Sequence, residues 1–303
     1  MIRLTRVLES IWRRTPLLTP RLWRTLRQPM THHPFFSRRW GVENGDESDG
    51  LRMRWLPSLG LLAMATLYIW IAWQVFLIPI ETILNLFLVV GSSAGGLNAA
   101  VGISAALGRE REQGRYELVG LTLPGAVGAT WAIAARHLCR STWSQFLHYG
   151  LTLLHLAGLL ALGISFVTNP VGGSLAQVLN YALSLLIFLL LIRVDYIQTV
   201  VLGALLGMVV PNFIPSRGDA YRVGLSAFVG LQLGSIILLI LIEASLGRTL
   251  FLFGLQADLV AAGLLRLVIL YGLRETAVAA LWFLLAWQLN TDLNEVRTIA
   301  RLG

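Results

Sequence analysis

The chain has 303 residues, a formal net charge of +8 and a mean hydropathy of +0.69. Hydrophobic residues make up 56% of it and charged residues only 13%, about half of the ~25% that soluble domains carry. This composition excludes an ordinary soluble domain, and several apolar runs approach the roughly 20 residues that cross a bilayer. We therefore predict an all-α fold: a polytopic membrane helix bundle of roughly 6–8 transmembrane helices with an N-terminal amphipathic interfacial helix.

All 24 basic residues are arginine, and the chain contains no lysine. A phosphate-binding P-loop needs a lysine to reach the terminal phosphates, so the chain is not expected to hydrolyse ATP itself. Cys139 is the single cysteine, which rules out an intrachain disulfide and argues against a cysteine-based metal site. We predict no enzyme activity, no catalytic residues, no metal, no cofactor and no nucleic acid partner for this chain.

Residues 1–54 form an arginine-rich arm that holds 11 of the 24 arginines. Apolar residues recur at helical spacing near its start, which predicts an amphipathic helix in the headgroup layer: Leu4, Val7, Leu8 and Ile11. Leu22, Trp23 and Leu26 predict a second short interfacial piece. The arm either holds the amino terminus on the inner side of the membrane or docks a partner, and the sequence leaves both open.

Residues 55–290 are predicted to form the transmembrane domain, followed by a tail at 291–303. The predicted spans cover about 56–78, 82–107, 144–167, 175–192, 197–210 and 223–242. The region after Glu243 forms either two tilted spans or one interfacial segment and one span. Small residues in the second span (GSSAGGLNAA) favour close helix packing over a substrate path.

The arginine distribution predicts the orientation. With the amino terminus in the cytoplasm, the arm and the loop at 108–143 both lie inside, whereas Arg217 and Arg222 lie in outer loops. This asymmetry predicts a multi-pass protein of the bacterial plasma (inner) membrane with a cytoplasmic amino terminus.

One polar stretch interrupts the apolar segments, from Gly108 to Pro124 (GREREQGRYELVGLTLP). Three arginines and three glutamates in it form a hydrated surface that suits docking through directional charge contacts. The stretch is followed by a piece from Ala126 to Arg140 that predicts an interfacial helix. A solvated cytoplasmic loop without any partner is the simpler interpretation of the same residues.

The order of these features resembles the permease subunits of type-2 ATP-binding-cassette exporters. In that family a stretch similar to S-x-E-R-E-x-G-T-x-E-L-L-L-x-T-P-L-S follows the second span and meets the ATPase. The resemblance covers roughly Ser104 to Leu138, and it assigns partner coupling to Glu110, Arg111, Glu112, Gly114, Arg115, Glu117, Thr122 and Pro124. This chain departs from the family at the T-P-L-S motif, where it has Thr122-Leu123-Pro124-Gly125 instead.

The resemblance implies a transmembrane permease subunit of an exporter whose cargo the sequence does not identify. The lack of charged residues lining the predicted spans favours an amphipathic or lipid-like cargo. The resemblance also implies a separate ATPase chain that binds ATP-Mg, a homo- or heterodimer of permease chains, and contact with membrane lipids. The alternative is a non-transporting, permease-like accessory subunit of a larger respiratory or photosynthetic membrane complex.

Two histidines lie seven residues apart in the third predicted span, His148 and His155. Either one is a candidate axial ligand for a haem or a pigment. The commoner role of such a residue is a hydrogen bond inside the bundle, and no facing histidine is present in another confident span.

Overall fold

The computed structural model describes residues 17–27, 80–114, 116, 125–141, 175–214, 216–252 and 259–289. Six helices occupy these ranges: α1 (Leu18–Arg27), α2 (Ile80–Glu112), α3 (Gly125–Arg140), α4 (Leu175–Phe213), α5 (Arg217–Leu252) and α6 (Leu259–Gln288). The described part of the chain contains no strand, which confirms the all-α class.

Three of the helices are long and apolar enough to cross a membrane, as the composition predicted. Their spanning segments are Leu189–Phe213, Arg217–Ile242 and Leu267–Gln288. The predicted spans at 56–78 and 144–167, and the amphipathic helix near residues 4–11, lie outside the described residues. The larger number of spans therefore stays a prediction.

The boundary predicted between residues 192 and 197 is wrong. Arg193 and Asp195 do not separate two spans, because α4 runs as one helix through both. Likewise α6 continues through Arg274 and Glu275, so the apolar residues on either side of this pair belong to one helix. Inside the bundle, Asp195, Arg274 and Glu275 form ion pairs or hydrogen bonds with other helices. Because these charges are paired, the helices continue through them.

The carboxyl-terminal ends of α2, α4 and α6 lie together at one end of the bundle. Arg111 near the end of α2 donates to Asn212 of α4, and the Asn212 amide donates to Gln288 of α6 at 2.7 Å. The first backbone N–H of α5, on Arg217, donates to the Glu112 carboxylate. Helices α2, α4 and α6 are therefore parallel to one another and antiparallel to α5.

This arrangement corrects the predicted position of Arg217 and Arg222. Both lie in the first turns of α5, at the same end of the bundle as Arg109 and Arg111. The error follows from the extra boundary placed within α4, which reversed the direction of every later segment.

Helices α2 and α4 approach each other so closely that their backbones touch. A Cβ atom on Gly203 would lie 2.0 Å from the Gly96 carbonyl oxygen, and one on Gly96 would lie 2.5 Å from the Thr199 carbonyl oxygen. Such contact is possible only between residues without side chains, as in other tightly packed membrane helices. The predicted role of the small residues in helix packing is confirmed here.

Pro211 lies inside α4, where it leaves one helical carbonyl without its usual N–H donor. That carbonyl belongs to Gly207, and the Ser104 hydroxyl of α2 donates to it at 3.4 Å. A side chain of the neighbouring helix thus provides the donor that proline lacks, which is how prolines are tolerated within membrane helices.

Helices α1 and α3 fill the space beside the long helices. The short piece predicted around Trp23 is a helix, α1, and its Leu22 and Leu26 are fully buried. Its interfacial position stays a prediction. Helix α3 is buried at every residue from 127 to 135, and Trp131 packs edge-on against Trp282 of α6 with the ring centroids 5.6 Å apart. It therefore packs inside the bundle, whereas its sequence predicted a helix lying on the surface.

Replacing Gly203 with alanine is expected to push α2 and α4 apart. The added methyl group overlaps the Gly96 carbonyl, and overpacking of this kind lowers the free energy of unfolding by about 1–3 kcal/mol. Thermal unfolding in detergent measures the loss. The matched control is Gly230→Ala, because no atom lies within 4 Å of the new Cβ there. Equal melting temperatures for the two variants would contradict the backbone contact.

Candidate functional site

One end of the bundle carries a group of polar contacts, here called the polar clamp, formed by Arg111, Glu112, Pro211, Asn212 and Arg217. Arg111 donates to the Pro211 carbonyl at 2.6 Å and to the Asn212 side chain. Glu112 accepts from the backbone of Arg217, so a carboxylate sits at the positive amino-terminal end of α5. The clamp thereby ties the end of α2 to two neighbouring helices.

The described residues of the family-like stretch have different surroundings. Glu110 is fully buried, whereas Glu112 is exposed. The Arg111 guanidinium also lies 4.6 Å from the ring centroid of Tyr116, whose hydroxyl is 2.7 Å from Thr130 of α3. Arg111 is thus held on several sides within the chain.

The end of α2 is set by Gly114. Its φ of +65° belongs to the left-handed region that suits glycine at a helix carboxyl terminus, and its N–H donates to the Arg111 carbonyl at 2.9 Å. Gly114 is exposed. The remaining predicted coupling residues, Arg115, Glu117, Thr122 and Pro124, lie outside the described residues and stay predictions.

A second polar group, here called the ionic cluster, lies between α4 and α6 and contains Asp195, Thr199 and Arg274. The Arg274 guanidinium forms an ion pair with the Asp195 carboxylate, and both side chains are only 3% exposed. Arg274 also donates to the Asp195 backbone carbonyl at 3.2 Å and to the Thr199 hydroxyl. The Ser92 side chain of α2 lies close to the Asp195 carboxylate. The cluster therefore joins three helices.

Next to this cluster, Glu275 holds the amino terminus of α1. Its carboxylate accepts from the backbone N–H groups of Leu18 and Thr19, the latter at 3.1 Å, and from the Thr19 hydroxyl. These are the N–H groups that a helix leaves without internal acceptors, and the helix dipole favours a negative charge there. A charge on a spanning helix thus docks the short amphipathic helix.

An apolar cavity of about 220 Å³ separates α1 from α4 and α6 beside this contact. Gln198 lines it, and its amide donates to the Tyr271 carbonyl at 3.1 Å. Residues of α1 form one wall of the cavity, and residues of α4 and α6 next to the ionic cluster form the other. The cluster, the Glu275 contact and the cavity together form the candidate functional site.

The two polar groups lie at different levels of the bundle. From Arg193 to Asn212, α4 rises roughly 28 Å at 1.5 Å per residue, close to the ~30 Å thickness of a hydrocarbon core. Helix α1 packs at the level of the ionic cluster, so its arginines lie far from those of the clamp. The sequence predicted both arginine-rich segments at the same membrane surface.

Sequence reasoning missed the ionic cluster, although a signal for it was present. Asp195, Arg274 and Glu275 each interrupt a long apolar run, and a charged residue within a membrane segment is a candidate functional residue. At Arg193 and Asp195 the sequence pattern instead predicts the end of one span and the start of the next. Spacing alone does not pair residues 79 positions apart, so the partner of Asp195 becomes evident only in the folded chain.

His148 and His155 lie outside the described residues, so their role as ligands stays a prediction. Among the residues that the structure describes, no group of three histidine, cysteine or acidic side chains is arranged to hold a metal ion.

Comparison with known proteins does not place the chain in a family. No family model matches it, no curated protein matches it, and no solved structure matches it.

Removing one member of the buried ion pair is expected to be costly. Arg274→Met leaves the Asp195 carboxylate buried without its cation and lowers the free energy of unfolding by about 3–5 kcal/mol. The double variant Asp195→Leu with Arg274→Met is expected to recover most of this loss, because no charge is then left unpaired. Unfolding in detergent measures both, and Arg222→Met, at an exposed pair, is the control. Additive losses in the double variant would contradict the pairing.

Glu275→Gln is expected to loosen the docking of α1. The lost charge weakens the contact by about 1 kcal/mol, and the single cysteine reports the change, because the Cys139 thiol donates to the Arg27 carbonyl of α1 at 3.8 Å. Burial raises the pKa of Cys139, so the docked thiol reacts slowly with maleimide. We expect about fivefold faster labelling in the variant.

The control is Asp219→Asn, which removes an exposed carboxylate on α5. An equal labelling rate in both variants would refute the role of Glu275.

Proposed function

We propose that this chain is the transmembrane permease subunit of an exporter of the type-2 ATP-binding-cassette class, driven by a separate ATPase chain. The polar clamp is the observation that carries the proposal. Arg111 and Glu112 belong to the family-like stretch, and they tie the end of α2 to the end of α4 and the start of α5. A force applied to the stretch would therefore move three long helices together.

Such mechanical coupling is what an ATP-driven membrane subunit requires. Closure of the ATPases would press on the coupling residues that the resemblance assigns: Gly114, Arg115, Glu117, Thr122 and Pro124. The clamp would carry this displacement into α2, α4 and α5, and the helices would rock between inward- and outward-open states. Two permease chains would form the complete pathway, and ATP-Mg would be bound by the partner ATPases. The proposed cargo is amphipathic, since the spans carry few charges.

The proposed location is the bacterial plasma membrane, with the clamp in the cytoplasm. Arg217 and Arg222 lie at the same end of the bundle as Arg109 and Arg111, whereas the arginines of α1 lie at the level of the ionic cluster. The cytoplasmic position proposed for the clamp therefore follows from the resemblance of the charged stretch and not from the arginine distribution. The cytoplasmic amino terminus concerns residues before Leu17, outside those described, and stays a prediction from the arginine distribution.

The second candidate function is a non-transporting accessory subunit of a respiratory or photosynthetic membrane complex. Apolar side chains on α5 leave a face on which another subunit could pack, because only 17% of that spanning segment is buried, against 72% for α4. Large side chains along α5 face outward: Ile237, Leu238, Ile240 and Leu241. Either lipid tails or the helices of another subunit would cover such a face.

Gentle extraction of the tagged chain from its native membrane tests the proposal. We expect a stoichiometric P-loop ATPase to copurify, and Glu117→Ala to lower its recovery severalfold by removing a docking charge. Asp219→Asn is the matched control, since it removes an exposed carboxylate from α5. Mass spectrometry identifies the partners. Recovery of haem- or pigment-bearing subunits without an ATPase, seen also in the absorption spectrum, would reject transport and favour the accessory role.

A further inference from the structure

The cavity between α1, α4 and α6 has almost entirely apolar walls. They are formed mainly by Leu17, Pro20, Trp23, Val194, Ile197 and Tyr271. Its volume of about 220 Å³ has room for several water molecules, but the walls offer water few polar partners. A flexible hydrocarbon chain suits such a space better than water does, because it gains contacts with the walls and forfeits no hydrogen bonds.

Two arginines are neighbours of residues that line this cavity. The Arg27 guanidinium lies over the Trp23 ring, 5.1 Å from its centroid, and Arg193 directly precedes the cavity residue Val194. Arg27 and Arg193 are close enough to interact electrostatically, and Arg193 is partly buried. Two like charges near one another repel, and partial burial makes this repulsion stronger than in water.

Neither arginine forms an ion pair with a residue that the structure describes. Two acidic groups of the neighbouring ionic cluster and its surroundings are engaged elsewhere: Asp195 of α4 pairs with Arg274, and Glu275 of α6 accepts from the amino terminus of α1. A pair of partly buried cations without a carboxylate attracts an external anion, and guanidinium groups suit phosphate oxygens because they donate through two parallel N–H bonds.

We propose that this place binds one anionic phospholipid, with its phosphate between Arg27 and Arg193 and one acyl chain in the cavity. The cavity extends from the two arginines in the direction that a phospholipid's acyl chain would take. Along α4, Ile197 and Gln198 follow Arg193 towards the clamp, so a chain entering beside the arginines runs into the ~28 Å layer between the two polar groups. Basic pockets beside membrane helices bind acidic lipid headgroups in the same way.

The bound lipid would complete the docking of α1. Glu275 holds the amino-terminal end of that helix, and the phosphate would hold its carboxyl-terminal end, where Arg27 and Arg193 otherwise repel. The inference concerns α1 and two spanning helices only, so it does not depend on transport or on an ATPase.

Native mass spectrometry of the delipidated full chain tests the site with phosphatidylglycerol and with phosphatidylcholine of the same acyl chains. We expect phosphatidylglycerol to bind at least about tenfold more tightly, and the double variant Arg27→Gln with Arg193→Gln to remove this preference. Arg222→Gln is the matched control, because it removes an exposed arginine at the start of α5. Equal binding of the two lipids, or equal loss in the control, would overturn the proposal.

Two further measurements distinguish a bound lipid from a bound free phosphate ion. Ile197→Trp fills the cavity and leaves both arginines in place, so it is expected to weaken phosphatidylglycerol binding about tenfold. Inorganic phosphate at millimolar concentration is expected to compete poorly, because it gains nothing from the cavity. Full competition by inorganic phosphate together with unchanged binding in the Ile197→Trp variant would show a phosphate site without a lipid, and would overturn the proposal.

Discussion

The backbone contact between α2 and α4 is the constraint on which the rest of the bundle depends. Gly96 and Gly203 allow the two helices to touch, and a methyl group at Gly203 would already overlap the neighbouring carbonyl. At this separation Ser104 reaches the Gly207 carbonyl that Pro211 leaves without a helical donor. The close approach also brings Arg111 within reach of Pro211 and Asn212. The polar clamp therefore depends on glycines several turns away.

The ionic cluster depends on the same geometry. Ser92 of α2 meets Asp195 of α4 because the helices remain close beyond the glycines, and Arg274 completes the group from α6. A buried pair of this kind adds little net stability, since desolvation of both charges offsets their attraction. The ion pair instead favours one register of α4 against α6, because any other register would leave a charge buried and unpaired. The pair thus sets how the spans align, and Glu275 uses the aligned surface to dock α1.

Much of the general design was predictable from the sequence. The long apolar runs predicted membrane helices, the small residues of the second span predicted close packing, and Leu22, Trp23 and Leu26 predicted a short helix. These predictions concern local properties such as hydropathy, side-chain size and period, which act within one segment. The errors arose at charged residues, because a charge inside an apolar run has two outcomes: a helix end in water, or a helix interior with a partner from elsewhere in the chain.

By itself, the sequence determined the membrane class, the helical character, the absence of a P-loop and the position of the charged stretch at the end of α2. Only the tertiary structure decided that Asp195 pairs with Arg274, that Glu275 holds α1, that Arg111 is engaged within the chain, and that Arg217 lies beside the end of α2. The physical reason is the range of the interactions. Burial and helix propensity act locally, whereas the partner of a buried charge is fixed by packing between segments that lie far apart in the chain.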